Sequence, residues 1–301
     1  MRRTYLELLI ATVFWGFGFI ASIWALKGMG PILNTALRFA IAVIFLDLIY
    51  RLRLWKGVSP LTYRFKEWVS LFLPGFFLFG MLATQTWGLK YTSASRSGFI
   101  TVLYVLFVPF FERFFVGTKI KPILAVWILL ALVGTSLICG VITRAGLNPN
   151  FLEALNRGDL LTLICAIFGA GHILVVNQTL SRVDSAVKYH IYQSIWIALL
   201  AFVLTMFTEG FSALSAPWDL KTWLGLLHLG ILSSGVAFLI QIRAQKTIQP
   251  TTFGLLVLLE SPWALLFSVL LGMEILTPLQ LAGACLILLS AASASVLAGF
   301  N

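Results

Sequence analysis

Ten apolar runs of about 20 residues, separated by short junctions that hold nearly all of the charge, constrain this chain more than any other feature. A bilayer core of roughly 30 Å is crossed by about 20 helical residues, and inside it each backbone polar group must find its partner within the segment. Such runs therefore predict spanning helices. They fall at about residues 5–26, 33–50, 67–88, 94–115, 122–142, 158–178, 188–208, 221–242, 251–271 and 279–299. Composition agrees: the chain is 60% hydrophobic and 11% charged, whereas soluble domains carry roughly 45–50% apolar and about 25% charged residues. The same balance excludes disorder, and three cysteines without a CxxC pair exclude a disulfide scaffold. Cys139, Cys165 and Cys285 each lie in an apolar run and read as unpaired small hydrophobes. The expected fold class is an all-α integral membrane protein with ten transmembrane helices.

The formal charge of +10 does not point to nucleic acid, because the basic residues form short clusters between apolar runs and build no basic domain. They act as topology signals. With the N-terminus inside, 14 of the 21 Lys and Arg lie in cytoplasmic junctions, six lie outside, and Arg38 sits within the second run. Positive junctions stay on the cytoplasmic side, so both termini are expected there. Met1-Arg2-Arg3 precedes a long apolar stretch without a small-residue cleavage site, which reads as a retained span. The junctions leave no room for a soluble catalytic domain. Walker A, HExxH and GxSxG patterns are missing, as is any metal-spaced Cys/His cluster, so no cofactor, metal or catalytic residue is expected.

The two halves repeat. Gly16 and Gly18 recur as Gly169 and Gly171, Gly98 as Gly254, Pro109 as Pro262, Gly117 as Gly272, and Arg38 is answered by Gln193, all at offsets of 153 to 156 positions. Five spans per half is an odd number, so the second half enters from the opposite side and the repeats are inverted. The expected division is residues 1–145 and 146–301, together one transmembrane domain.

The runs TVFWGFGFIASIWALKG, LRFAIA, GLKYTSASRSGFITVLYVLFVPFF and GTKIKPILAVWILLALVGTSLI, closed by LLESPWALLFSVLLGMEILTPLQLAGACLILLSA, resemble the drug/metabolite transporter superfamily, EamA type. The resemblance covers essentially the whole chain. It implies a ten-helix inverted-repeat bundle in the cell inner (plasma) membrane, whose central cavity is lined by spans 1, 3, 4, 6, 8 and 9 and which moves small metabolites, commonly amino acids, outward. The chain departs from the family's second-half LEPV by reading Leu259-Glu260-Ser261-Pro262.

The residues lead to a site independently. A polar or aromatic side chain at mid-membrane depth is costly against lipid and is expected to face the bundle interior or a wet cavity. By depth the candidates for substrate binding are Trp15, Phe19, Gln85, Tyr104, His172, Gln193, Gln241, Glu260 and Trp263. Each has a plainer alternative: Trp15 as filler opposite Gly169, Phe19 as packing, Tyr104 and His172 as satisfied core groups, and the glutamines as helix-to-helix hydrogen-bond partners. Arg38, near the outer end of its run, reads as a residue that snorkels to the interface. Glu260 is the most informative, since a carboxylate there is expensive unless paired, protonated or hydrated, and protons are a partner if it couples transport. Pro74, Pro109 and Pro262 lie within runs and are candidate gates, each removing a backbone donor.

The reading that absorbs most of these features is a secondary transporter exporting small amphipathic metabolites such as amino acids. Its partners are a small-molecule substrate and the bilayer, as a monomer or weak oligomer. A membrane channel is the alternative and an intramembrane enzyme the third.

Overall fold

The computed structural model describes residues 2–52, 63–117, 122–138, 140–150, 155–210 and 218–299, and over these the chain is helical apart from a hairpin pairing Ile142–Thr143 with Gly146–Leu147. Cys139 and the basic residues Arg53, Lys56, Lys119 and Lys121 lie outside the described residues. The helices are α1 (Arg2–Ala25), α2 (Pro31–Arg51), α3 (Phe65–Ser70), α4 (Phe72–Gly88), α5 (Ala94–Thr101), α6 (Tyr104–Phe111), α7 (Pro122–Ile138), α8 (Arg157–Thr179), α9 (Ala186–Thr208), α10 (Leu220–Leu227), α11 (Phe238–Ala244), α12 (Pro250–Val257), α13 (Glu260–Leu270) and α14 (Pro278–Gly299). A five-residue π-helix, Glu112–Val116, continues α6, and a ten-residue π-helix, His228–Ala237, joins α10 to α11.

Among the described residues, seven helical stretches are long and apolar enough to cross a membrane: Arg3–Ala25, Pro31–Arg51, Ala94–Val116, Arg157–Arg182, Ala186–Thr208, Leu220–Ala244 and Pro250–Leu270. Two shorter apolar helices, Ala125–Ile138 and Pro278–Ser290, occupy the fifth and tenth runs. The third run is divided at Leu71 into α3 and α4.

Local chemistry sets where the helices begin. Proline opens α2, α7, α12 and α14, where its missing N–H costs nothing because the first turn has no intrahelical acceptor. Asn156 and Asp159 form a reciprocal capping box at the start of α8, each side chain taking the other's backbone N–H at 3.0 Å. Ser93, Ser185 and Asp219 cap α5, α9 and α10. Gly117 and Gly272, matched in the sequence repeat, both adopt a positive φ, 78° and 67°, directly after the π-helix and near the end of α13. Any other residue would be strained there.

The three prolines within the runs behave differently from one another. Only Pro109 lies inside a helix, α6. Pro74 and Pro262 stand in the first turns of α4 and α13, immediately after breaks at Leu71 and at Leu258–Leu259. The carbonyl that Pro74 cannot reach, that of Ser70, accepts from Arg182 Nη1 at 3.0 Å, and that of Leu258 accepts from Ser261 N at 3.2 Å.

The most extensive pairings are α4 with α8, α2 with α9, and α7 with α14; α1 packs on α13 on one side and on α10 and the long π-helix on the other. Two of these contacts are made by glycine on glycine. A Cβ on Gly88 would lie 2.8 Å from the Gly158 carbonyl oxygen and one on Gly158 2.5 Å from that of Gly88; Gly134 and Gly283 meet in the same reciprocal way at 2.7 and 2.5 Å. Without a hydrophobic drive between helices in lipid, such close backbone approach supplies van der Waals contact instead. Polarity is distributed accordingly: Ile44, Phe110, Val203 and Leu289 are exposed on the outside, while Asn34, Arg38, His190 and Gln193 are buried within.

Candidate functional site

A cavity lies at the centre of the bundle. Its walls come from α1, α4, α6, α8, the long π-helix with α11, α12 and α13, and from one residue of α2, Arg38. Of the nine residues expected from the sequence, seven line it: Trp15, Phe19, Gln85, Tyr104, His172, Gln241 and Glu260. All seven are at most 9% exposed. Gln193 stands behind the wall, with its Oε1 3.3 Å from His172 Nε2. Trp263 is not on the wall. Its Cβ fills the space a side chain on Gly16 would take, and its ring stacks on Phe267 at 6.1 Å, so close packing against α1 turns it away from Glu260. Trp15 does not fill a gap opposite Gly169 either, since Met81 lies there; its indole N–H donates to Ser233 O at 3.2 Å and its ring packs on Phe238 at 5.2 Å.

A continuous buried hydrogen-bond chain runs behind one wall and reaches the cavity at His172 and Gln241. His190 Nε2 donates to Ser234 O at 2.6 Å, and Gln193 Nε2 donates to His190 Nδ1 at 2.9 Å. His172 Nε2 faces Gln193 Oε1 at 3.3 Å, and Gln241 Nε2 donates to His172 Nδ1 at 3.4 Å and to Gln245 Oε1 at 3.1 Å. Gln245 Nε2 closes the chain on Ile173 O at 2.8 Å. Three elements are thus joined: α8, α9 and the eighth run. The long π-helix carries one end of the chain, and Ser233 Oγ and His228 Nε2 on it reach Phe14 O at 2.9 and 3.0 Å. π-Helical turns are rare and concentrate at functional sites. Sequence reasoning missed both this helix and His190, although His190 is one turn from Gln193 in the same run.

Two ionisable side chains besides His172 line the cavity, Glu260 and Arg38. Glu260, 5% exposed, opens α13, and its Oε1 has no hydrogen-bond partner. The buried hydroxyl of Tyr104 is likewise unpartnered. Gln85 is held by Thr101 Oγ1 at 3.1 Å. Ser261, which stands where the family motif has proline, donates to Gly98 O at 2.8 Å and ties α13 to α5. Arg38 does not snorkel outward. The Glu209 carboxylate caps α2 through the N–H groups of Ile32 (2.8 Å) and Leu33 (3.2 Å), which seats Arg38 nearly two turns inside. There it is 3% exposed, lines the cavity and donates from Nε to Ser234 Oγ at 2.7 Å. The sequence signal was its place opposite Gln193 in the repeat.

Polar ties close the bundle at both ends of the cavity. At one end Glu112 accepts from the backbone N–H and hydroxyl of Thr251, Lys188 Nζ lies 2.9 Å from Glu67 and 2.8 Å from Asp184, and Arg243 lies 3.6 Å from Glu7. At the other, Glu274 accepts from Ser95 Oγ, and Asp159, 1% exposed at its side chain, pairs with Arg96 at 2.8 Å and accepts from Thr92. The hydrogen bond from Lys188 holds the Asp184 carboxyl below its ordinary pKa of 3.8, and that from Thr222 does the same for Asp219. Among the described residues no cluster of three His, Cys, Asp or Glu side chains could hold a metal ion. The site is equipped to enclose and hydrogen-bond a small molecule with apolar and polar parts.

The EamA-like transporter family model matches this chain twice, over residues 2–140 and 156–296. An uncharacterized transporter of Archaeoglobus fulgidus is 30% identical over 294 residues, covering 96% of this chain and 85% of that protein. The uncharacterized transporter YoaV of Bacillus subtilis is 24% identical, covering 95% and 94%. A solved crystal structure, 22% identical, superposes with a TM-score of 0.75 over 99% of this chain and 98% of that one, which shows a shared fold. The chain belongs to the EamA-like transporter family, within the drug/metabolite transporters, and is a multi-pass membrane protein.

Proposed function

We propose that the protein is a secondary transporter that exports small amphipathic metabolites such as amino acids by alternating access through the central cavity. The observation that carries this reading is a mixed aromatic and polar cavity within the bundle, nearly all of whose lining residues are buried. An open pore would leave part of that lining exposed. The architecture behind it is ten spans in two inverted repeats, residues 1–145 and 146–301, and two facts support it. The family model matches once in each half. The packing also survives exchange of each span with the one five places on: α4 with α8 answers to α10 and the long π-helix with α1, α1 with α13 answers to α8 with α5 and α6, and α2 with α9 and α7 with α14 map onto themselves. Trp15, Phe19, Gln85, Tyr104, His172, Gln241 and Glu260 contact substrate, Gln193 supports His172, and the breaks beside Pro74 and Pro262 and the helix around Pro109 are where the spans bend as one set rocks against the other.

The test is counterflow in liposomes. Saturable uptake accelerated by unlabelled substrate on the far side is expected of a carrier, while non-saturating flux without acceleration overturns it in favour of a channel. Repeating the assay with an imposed pH gradient on wild type and Glu260→Gln decides whether protons are a partner. The membrane is the inner (plasma) membrane with both termini cytoplasmic, as the charge distribution favours. On a cysteine-free background, a cysteine at Asp184 is expected to be shielded from an impermeant reagent in intact cells and one at Asn148 labelled; the reverse pattern reverses the orientation.

A further inference from the structure

Two runs of the sequence, the fourth and the ninth, are each broken in the middle, and the breaks are copies of one another. α5 ends at Thr101 and α6 begins at Tyr104; α12 ends at Val257 and α13 begins at Glu260, 156 positions on in both cases. The two runs lie side by side in opposite directions, α5 against α13 and α6 against α12. From its break, α5 therefore reaches towards one end of the cavity and α12 towards the other. The tips of these half-helices are equivalent as well. Ser95 and Thr251, the second residues of α5 and α12, are again 156 positions apart and only 4% and 5% exposed. Each donates its hydroxyl to a carboxylate at the far end of the other run: Ser95 to Glu274, beyond α13, and Thr251 to Glu112, which opens the π-helix after α6. The two carboxylates are not at the repeat offset. One contact has thus been built twice from acidic residues at unequal positions, which copying of the sequence alone does not produce.

We infer that α5 and α12 are the two gates of the cavity, each hinged at its break and latched at its tip, α5 by Glu274 and α12 by Glu112. The inference rests on the carrier reading and goes beyond it in naming the moving elements and the residues that hold them shut. A half-helix that a break separates from the rest of its run turns as a unit, its internal hydrogen bonds intact, so contacts along its flank and tip are what oppose it. The first residues past the two breaks, Tyr104 and Glu260, line the cavity, and the Tyr104 hydroxyl and Glu260 Oε1 lack hydrogen-bond partners. A bound molecule therefore meets both hinges at once. The gates are unequally fastened. α5 is also held by Arg96 on Asp159 at 2.8 Å, by Gly98 O accepting from Ser261 at 2.8 Å, and by Gln85 on Thr101 at 3.1 Å. Among the described residues, Thr251 is the one member of α12 that a hydrogen bond ties to another run, through its hydroxyl and its backbone N–H on Glu112. α12 is the looser gate, and the empty protein opens more readily on the Thr251 face.

The experiment reads access to the cavity from each face. Leu82 lines the cavity from α4, and Leu82→Cys on a cysteine-free background is labelled with an impermeant thiol reagent in right-side-out and everted membrane vesicles. Cysteines at Asp184 and Asn148, in separate samples, mark the Thr251 and Ser95 faces. Glu112→Leu is expected to speed labelling from the Thr251 face, and Glu274→Leu from the Ser95 face, by at least about tenfold, the equilibrium factor of one hydrogen bond to a charged group. Access from the opposite face should stay the same or slow. Thr251→Val and Ser95→Ala, which remove the donors, should repeat the pattern and serve if the leucine variants do not fold. The inference is overturned if releasing a latch raises access equally from both faces, or from neither. A wild type labelled faster from the Ser95 face overturns the ranking of the two gates. Counterflow without these shifts would keep the carrier and remove the gates; the shifts in a protein that exchanges no solute would keep the gates and remove the carrier.

Discussion

Two cations are buried to nearly the same degree, Lys188 at 2% exposure and Arg38 at 3%, and the chain treats them in opposite ways. Lys188, in the first turn of α9, has two carboxylates within 2.9 Å, one from Glu67 near the start of α3 and one from Asp184 in the preceding turn. Its charge is compensated on the spot and fastens two helices together. Arg38 has one serine hydroxyl and the ring of Phe39. A compensated buried charge belongs to the architecture. An uncompensated one, facing a cavity, costs stability in the empty protein and gains its partner only when something binds.

That contrast can be broken by measurement. The largest effect is expected on transport: Arg38→Met, similar in length but uncharged, should reduce saturable exchange in liposomes by at least about tenfold. The same variant should unfold in detergent at an unchanged or higher temperature, because an unpaired charge has been replaced by an apolar chain. A fall in stability matching that of a broken ion pair would place Arg38 with Lys188. Next is Lys188→Met, which leaves the Glu67 carboxylate only the exposed Arg64 at 3.8 Å and is expected to cost about 3 kcal/mol of stability, read from the unfolding midpoint, with binding affinity retained. An unaffected midpoint would remove Lys188 from the architecture.

The smallest effect belongs to the exposed partner. Asp184 is 78% exposed, so Asp184→Asn should cost less than about 1 kcal/mol. The sign with pH follows from its lowered pKa: the contribution is complete above the ordinary value of 3.8 and disappears as pH falls through the depressed one. Wild type and Asp184→Asn should therefore differ by the same amount at all pH values above about 5 and converge only in stronger acid. A difference that changes near neutrality would show another group at work.

The spans and much of the cavity were legible because a lipid-facing helix tolerates few polar side chains, so Gln85, His172, Gln241 and Glu260 stood out within apolar runs. The same uniformity hid the faces. A helix apolar on every side gives no stripe to show which way Trp263 points, and only the close approach of α1 at Gly16 decides it. Arg38 was misread for a physical reason as well: near the end of a run, a long cationic side chain can reach either the interface or the interior, and the choice was made by Ser234 nearly two hundred positions away. Gly117 and Gly272 were visible as repeat partners, and their positive φ supplies the reason. Nothing local in His228–Ala237 announces a π-helix, whose extra residue per bond is selected by contacts with α1 and α2.

The hydrogen-bond chain along the cavity has one further property. Both of its ends rest on main-chain carbonyls, Ser234 O and Ile173 O, which accept and never donate. His190 must then carry its hydrogen on Nε2, leaving Nδ1 for the amide of Gln193; at the other end Gln245 must present its oxygen to Gln241, whose second hydrogen goes to His172 Nδ1. His172 is left with its hydrogen on Nε2, pointing at the only atom of Gln193 that can take it. A single arrangement of protons satisfies every group, and turning over either central amide sets like against like. The main chain thus writes the tautomers of two histidines that lie on different helices. Nitrogen-15 spectra of the imidazoles would read both as the same Nε2–H form, and displacement of either helix would erase the agreement.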